Sequence, residues 1–269
     1  MNTWPTLPAL PQGMSATPTA EDATGFAKPF VQDEGQLRSL HFTGAELQSR
    51  MDLQNPWQLE IDYTRTMMGF LLLHQAPASI GMIGLGGGSL AKFCHHELSG
   101  CRISVAENNP HVIALRREFA LPPDSARLEV LEADGAAFVA ARAASFDVLL
   151  VDGFDHQGQP ASLCTQAFYD DCHAALKPDG ILVVNLHQDD GDYALWVERL
   201  LRSFAGNAVE VPAPERSNCI VFASRGAALS PRRINLNKSL AGLGKDARAQ
   251  LKAEFSRIAW CMKDLTNAG

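Results

Sequence analysis

The stretch S-I-G-M-I-G-L-G-G-G-S-L-A-K-F-C-H-H-E-L-S-G-C-R-I-S-V-A-E-N-N, residues 79–109, sets the architecture predicted for the whole chain. An apolar run ends in a glycine loop at 84–88, a segment of helical period follows, and a second apolar run ends in Glu107. Glycines after a strand let the backbone approach a ligand closely, and an acid at the tip of the next strand can bind a ribose diol. The spacing from Gly86 to Glu107 fits the roughly 20 residues expected between such a loop and its acid. We therefore predict a nucleoside-type ligand here, with a tight turn that packs helix on strand as the alternative.

Beyond this stretch, apolar runs alternate with segments of helical period. Strands are predicted at 80–85, 102–107, 128–133, 146–152, 180–186, 208–212 and 218–224, and helices at 89–98, 110–119, 135–143, 162–177 and 192–205. The runs at 148–151 and 181–184 are continuously apolar, as in parallel strands buried on both faces. This alternation predicts an α/β fold with a doubly wound, seven-stranded sheet that binds ligands at the carboxyl ends of its strands. The last two strands are joined by a connection too short for a crossover helix, which predicts an antiparallel strand at the sheet edge.

The flanking segments predict smaller units around this sheet. Residues 1–27 are rich in Pro, Ala, Thr and Gly without an apolar period, which predicts a disordered or loosely ordered arm. Turn signals within 28–58 predict a small β-hairpin region. A helix at about 59–74 is expected to open a nucleoside-binding domain that spans 59–225. The tail at 226–269 is expected to end in an amphipathic helix at about 244–264.

Composition narrows the class of partner. The chain is 46% hydrophobic and 20% charged, as in globular proteins, and its net charge of −7 comes without a long basic run. This disfavours nucleic acid or an anionic membrane as the main partner and suits a cationic small substrate. The chain lacks both a membrane-length apolar run and a secretory signal pattern, so we expect a cytoplasmic protein. Its six cysteines form no C-x-x-C pairs, so we expect reduced thiols and no metal site.

Polar residues follow the predicted strands at their carboxyl ends, which meet at one rim of a parallel sheet. They are the loop at 84–88, Glu107, Asp134, Gly135, Asp152, Asp155, Asn185 and His187. Asp152 and Asp155 lie close enough to raise one another's pKa or to hold a cationic amine together, although turn-forming aspartates would look the same. Asp134 either caps the helix that starts at Gly135 or contacts an adenine amino group.

Several of these motifs together resemble the spermidine synthase family of aminopropyltransferases, and in particular its bacterial spermidine synthase-like branch. The matching stretches are the loop at 84–89, V-A-E-N-N-P-H-V-I at 105–113, E-A-D-G at 132–135, F-D-V-L-L-V-D-G-F-D at 146–155, P-A-S-L-C-T-Q-A-F-Y at 160–169 and L-K-P-D-G-I-L-V-V-N at 176–185. The resemblance covers roughly residues 35–225 and implies a Rossmann-like, methyltransferase-type sheet. It further implies transfer of an aminopropyl group from decarboxylated S-adenosylmethionine to an amine such as putrescine, without a metal, in a protein that can form a homodimer.

The resemblance also implies roles for individual residues. It places Asp152, Asp155 and Tyr63 in the catalytic set, with Asp152 helping to activate the attacking amine and Asp155 as a second acid that binds substrate. Glu107 is implied to bind the ribose and Asp134 the adenine. The remaining donor contacts that it implies are Gln48, Gly84, Gly86, Gly87, Gly88, Asn108, Gly135 and Asp152.

The chain departs from the family pattern at three places. The family's glycine loop carries an aspartate that grips the donor's amine, where this chain has Gly87 or, in another alignment, Ser89. His156 replaces the proline after the second acid, and the family's tyrosine-glutamine pair has no exact match at 63–66. Two alternatives therefore stand beside aminopropyl transfer: an S-adenosylmethionine-dependent methyltransferase on a small substrate, and a non-catalytic nucleoside- or polyamine-binding protein.

Overall fold

A small antiparallel sheet forms the N-terminal part of the protein. The computed structural model describes residues 25–42, 47–155, 158–214, 217–230 and 233–267. The small sheet contains, in spatial order, strands β1 (Phe30–Glu34), β2 (Leu37–His41) and β3 (Leu47–Asp52). The expected hairpin is therefore present and is extended by a third strand. The arm expected at 1–27 lies, apart from its last three residues, outside the described residues, and the domain boundaries stay predictions.

The large sheet has seven strands. In chain order they are β4 (Ser79–Ile83), β5 (Arg102–Glu107), β6 (Leu128–Glu132), β7 (Phe146–Val151), β8 (Leu176–His187), β9 (Ala208–Pro212) and β10 (Asn218–Ser224). In space the order is β6-β5-β4-β7-β8-β10-β9. Strands β4 to β8 pair in parallel, and β10 pairs antiparallel with both β8 and β9. The predicted doubly wound sheet is confirmed, and the strand that runs against the others is β10, one position in from the edge.

Helices cover both faces of this sheet. They are α1 (Asp62–Met67), α2 (Ser89–Glu97), α3 (Pro110–Ala114), α4 (Gly135–Ala140), α5 (Gln166–Ala175), α6 (Tyr193–Ser203), α7 (Leu236–Ala241) and α8 (Lys245–Asn267). The helix predicted at 59–74 is shorter, because α1 continues as a tighter 3₁₀ helix at Met68–Leu72. Helix α7 lies where the sequence predicts only a polar tail. Within the described ranges, no helix combines the length and apolar character that crossing a membrane requires.

The side chains of β7 show how the sheet separates two cores. Val148 and Leu150 pack on the face covered by α8, where Phe255 is fully buried. Leu149 packs on the opposite face, which includes Tyr169 of α5. Because both faces of the strand are buried, its sequence is a continuous apolar run.

The small sheet packs against the start of α2. Leu40, Met51 and Phe119 form a separate apolar cluster between the two units. Nearby, the hydroxyl oxygens of Ser49 on β3 and Ser89 on α2 lie 3.3 Å apart. The small sheet therefore stands over the glycine loop and supplies one wall of the cavity described below.

Candidate active site

The glycine loop between β4 and α2 has a backbone that few other residues could adopt. Gly84, Gly86 and Gly88 have φ of +90°, +52° and +70°, in the left-handed region that favours glycine. A Cβ on Gly84 would lie 2.2 Å from the carbonyl oxygen of Asp152. Gly84 thus allows the ends of β4 and β7 to approach each other closely.

The loop glycines differ in what they face. Gly84 and Gly86 line the main cavity, whereas Gly87 and Gly88 are absent from its wall. A Cβ on Gly87 would lie 2.6 Å from the Ser49 hydroxyl oxygen. Gly87 and Gly88 therefore shape the loop and its packing, while the first two glycines are exposed to a ligand.

Glu107, at the end of β5, is hydrogen-bonded to the backbone of the glycine loop. Its side chain is buried, and its two oxygens accept hydrogen bonds from the backbone N–H groups of Leu85 (2.9 Å) and Asn109 (2.8 Å). Burial raises the pKa of the Glu107 carboxyl, although the backbone amides act in the opposite direction. Glu107 therefore fixes the position of the glycine loop at the edge of the cavity.

A cavity of about 500 Å³ opens at the carboxyl ends of the parallel strands. The acids on its wall are Glu107, Asp152, Asp155 and Asp190. Its described lining contains no lysine or arginine, and His187 is the basic side chain among those residues. The lining also brings together four other residues that the sequence singled out, namely Gln48, Tyr63, Asn108 and Asn185. Such a wall attracts a cationic ligand.

Asp134 and Gly135 line a smaller adjoining pocket of about 50 Å³, which shares Glu107 and Asn108 with the main cavity. Asp134 is exposed, and its Oδ1 accepts a hydrogen bond from the Ala137 N–H at 2.8 Å as the N-cap of α4. The capping alternative is thus observed for one carboxylate oxygen. The adenine contact stays a prediction.

Asp152 directly follows β7 and is half-buried in the cavity wall. The Tyr63 hydroxyl of α1 donates to its Oδ2 at 3.1 Å, and the Asn185 amide of β8 donates to its Oδ1 at 2.8 Å. Burial raises the pKa of the Asp152 carboxyl despite these two hydrogen bonds, which lower it. A carboxylate with a raised pKa is a better proton acceptor near neutral pH.

Several lining residues escape an analysis based on strand ends. They are Ser49, Gln159, Asp190, Trp196 and Asn218. Asn218 is the first residue of β10, and because β10 runs opposite to the parallel strands, its amino end lies at the rim where theirs end. Both polar atoms of the Gln159 carboxamide are buried without a hydrogen-bond partner in the described structure, so a bound ligand is their natural partner.

The part of the chain that the structure describes has no group of three His, Cys, Asp or Glu side chains placed to hold a metal ion. All six cysteines are free thiols. Cys94, which stands beside two histidines in the sequence, is buried within α2.

Comparison with known proteins identifies the family. A family model described as the spermine/spermidine synthase domain matches residues 61–191. A polyamine aminopropyltransferase from Chromobacterium violaceum is 42% identical over 196 residues, which cover 72% of this chain and 75% of that protein. The chain belongs to the spermine/spermidine synthase family.

Solved structures of the spermine/spermidine synthase family share the fold. A probable spermidine synthase from Corynebacterium glutamicum matches with a TM-score of 0.63 at 22% identity, over 73% of this chain and 76% of that one. A spermidine synthase in complex with the transition state analogue AdoDATO matches with a TM-score of 0.57 at 21% identity, over 84% and 89%. The expected family, fold and class of enzyme are confirmed, and the two alternative functions are not favoured. The roles of individual residues stay predictions.

Proposed function

We propose that this protein transfers an aminopropyl group from decarboxylated S-adenosylmethionine to an amine such as putrescine. One observation carries the proposal: the carboxyl of Asp152, which accepts a hydrogen bond from Tyr63, lies in an acidic cavity that is also lined by the glycine loop. The acids suit an acceptor with ammonium groups, and the loop suits the nucleoside of the donor. We also expect a cytoplasmic protein that can form a homodimer.

The donor's nucleoside is expected against the glycine loop. The presence of Glu107 on the cavity wall supports its proposed contact with the ribose hydroxyls, and the adjoining pocket beside Asp134 supports the proposed adenine contact. Gln48 of β3 lines the same cavity from the small sheet. These contacts together support an S-adenosyl donor.

At the donor's tail the chain departs from the family pattern, because Gly87 or, in another alignment, Ser89 stands where the family carries an aspartate. The place of a Gly87 side chain is filled by Ser49 and Phe119. The nearby polar groups are two neutral hydroxyls, those of Ser49 and Ser89, and both residues line the cavity. The choice between decarboxylated and ordinary S-adenosylmethionine therefore needs a direct test.

In the proposed reaction, the acceptor nitrogen bonds to the carbon beside the sulfonium while the carbon–sulfur bond breaks and 5′-methylthioadenosine leaves. The nitrogen must lose its ammonium proton, and in the proposed mechanism Asp152 accepts it. Holding donor and acceptor in line removes much of the entropic cost of the displacement. Asp155 lies on the same wall, which supports a proposed role in binding a positive group of the acceptor.

The Asp152→Asn variant tests this role, since it keeps the shape of the side chain and removes the base. We expect kcat to fall by about 10²–10⁴-fold, while binding of 5′-methylthioadenosine measured by calorimetry stays nearly unchanged. Glu198→Gln, which removes an exposed acid on α6, is the matched control and should keep full activity. Turnover that persists in Asp152→Asn would make Asp152 structural and overturn the mechanism.

The donor is identified by supplying decarboxylated or ordinary S-adenosylmethionine with a panel of amines and analysing the products by mass spectrometry. We expect aminopropylated amines from the decarboxylated donor. A methylated product would contradict the proposal. If neither 5′-methylthioadenosine nor S-adenosylhomocysteine raised the melting temperature, the nucleoside site itself would be wrong.

A further inference from the structure

The side-chain amides of Asn218 and Asn185 form a hydrogen-bonded amide chain that ends at Asp152. We propose that Asn218 and Asn185 are positioning residues that hold the Asp152 carboxylate in the orientation in which it accepts the proton of the attacking amine. This inference rests on the proposed function.

Both hydrogen bonds of the amide chain are donated in the direction of Asp152. The Asn218 Nδ2 donates to the Asn185 Oδ1 at 2.9 Å, and the Asn185 Nδ2 donates to the Asp152 Oδ1 at 2.8 Å. If the Asn185 amide were flipped, its oxygen would face the carboxylate and its NH₂ group would face the NH₂ group of Asn218. With the Asn218 Nδ2 facing its oxygen, Asn185 presents its NH₂ group to Asp152, so the Asn218 contact favours the orientation of Asn185 that donates to the carboxylate.

Both asparagines are buried at the end of a sheet face where the next residues along each strand are apolar. Asn185 is 2% exposed and Asn218 is 4% exposed. On the same face, β8 continues with Val183 and β10 with Ile220 and Phe222, all in the core. A buried carboxamide is costly unless it is hydrogen-bonded, and the apolar neighbours show that packing alone does not need one here. The two hydrogen bonds that lead to Asp152 explain why these asparagines stand at the rim.

The two oxygens of Asp152 are thus held from different sides of the cavity. Asn185 of β8 bonds one oxygen and Tyr63 of α1 bonds the other, which leaves their remaining lone pairs for the acceptor. The other titratable groups on the cavity wall are Glu107, Asp155, His187 and Asp190, and the β10 side contributes the neutral Asn218. The amide chain is a hydrogen-bonded contact that connects β10 to Asp152.

Removal of the Asn185 donor should change how the base titrates. The hydrogen bond from Asn185 lowers the pKa of Asp152, so its loss raises that pKa further and shifts the acidic limb of the kcat/KM profile to higher pH. Because the lost hydrogen bond is made to a charged group, kcat/KM should also fall by about tenfold or more at pH values on the acidic limb. Asn218→Leu should shift the limb in the same direction by less, because Asn185 remains but can flip.

The experiment compares Asn185→Leu, Asn218→Leu and the double variant, with Ile220→Val as a matched control on the same face. Because Asn218 acts through Asn185, we expect the double variant to be no worse than Asn185→Leu alone, with nucleoside affinity retained throughout. If a leucine variant fails to fold, Asn218→Ser, which keeps a hydroxyl at lower volume, takes its place. A carbon-13 NMR titration of the Asp152 carboxyl reports the same shift without turnover.

The inference would be overturned if the losses of kcat/KM in the two single variants added up in the double variant while the acidic limb stayed at the same pH. The asparagines would then be merely structural. An unmoved carboxyl titration would overturn it as well. This failure is distinguishable from failure of the proposed function. An active Asp152→Asn variant refutes the function, whereas an inactive Asp152→Asn with an unchanged pH profile in Asn218→Leu refutes only the amide chain.

Discussion

The carboxyl group of Asp152 accepts hydrogen bonds from residues on two separate elements. The tyrosine on α1 and the asparagine on β8 bond its two oxygens, and burial raises its pKa. Tyr63 also lies in a segment that departs from the family pattern. Its hydroxyl nevertheless reaches Asp152, because what matters is the position of α1 over the end of β7 rather than the identity of its neighbours in the sequence.

The Tyr63→Phe variant removes one of these hydrogen bonds and preserves the ring. That bond lowers the pKa of Asp152, so its loss raises the pKa and reduces the deprotonated, active fraction at acidic to neutral pH. We expect kcat/KM to fall by about tenfold on the acidic limb and to recover towards the native value as the pH rises. A profile of kcat/KM against pH measures this. An equal loss at every pH would contradict an effect through Asp152.

At the scale of elements, the glycine loop depends on close contact between the ends of two strands. Gly84 combines a φ of +90° with a Cβ position 2.2 Å from a carbonyl oxygen of the Asp152 residue. We expect Gly84→Ala to lower the free energy of unfolding by about 3 kcal/mol or more, because strain and overlap add, and to abolish nucleoside binding.

The control for this variant is Gly100→Ala. Gly100 has open space around its Cβ position and no positive φ. Its substitution should change the free energy of unfolding by about 0.5 kcal/mol or less. Urea denaturation of both variants gives the comparison, and similar losses in the two would show that the Gly84 contact is unimportant.

The contact between the small sheet and α2 includes a buried lysine. Lys92 is 3% exposed, its Nζ donates to the Phe119 carbonyl at 2.8 Å, and it lies 3.0 Å from the Met51 sulfur. Burial lowers the pKa of the Lys92 ammonium to about 7. The folded protein therefore loses this proton at lower pH than the unfolded chain does.

Lys92 should make the stability of this contact depend on pH. An unfolded lysine stays protonated up to about pH 10.4, so above the folded pKa the unfolded state binds more protons and stability rises with pH. Below that pKa both states are protonated and the contribution is constant. We expect the melting temperature of the native protein, relative to Lys92→Met, to increase as the pH rises from neutral to alkaline. A constant difference would contradict the lowered pKa.

At the scale of the whole molecule, the net charge and the charge of the cavity wall favour the same class of acceptor. The chain carries a net charge of −7, and the described wall of its main cavity has four acids without lysine or arginine. The field of the protein and that of the cavity thus have the same sign, so a cationic substrate is attracted at long and short range.

Salt should weaken this attraction. We expect KM for a diamine to rise several-fold between low and high sodium chloride, since the Debye length falls to about 3 Å at 1 M. The affinity for the neutral 5′-methylthioadenosine, measured across the same series, serves as the control and should change little. A KM independent of salt would contradict a role for the cavity acids in binding the acceptor.

Features that depend on neighbouring residues could be predicted from the pattern alone. The bounds of β5, β9 and β10 agree with the predicted strands at 102–107, 208–212 and 218–224, because apolar runs and turn residues are local signals. The glycine loop and Glu107 were predicted together, since their spacing follows from one strand, one helix and the next strand.

Features that depend on distant pairings could not be predicted in this way. Asn218 reaches Asn185 because β10 reverses its direction and inserts beside β8, and Ser49 enters the cavity wall because the small sheet packs on α2. The sequence contains these residues, but the spacing of apolar and polar residues along the chain does not indicate which polar side chains form contacts across a sheet or between two units. Those contacts arise from packing over long sequence separations, and they place the groups that surround Asp152.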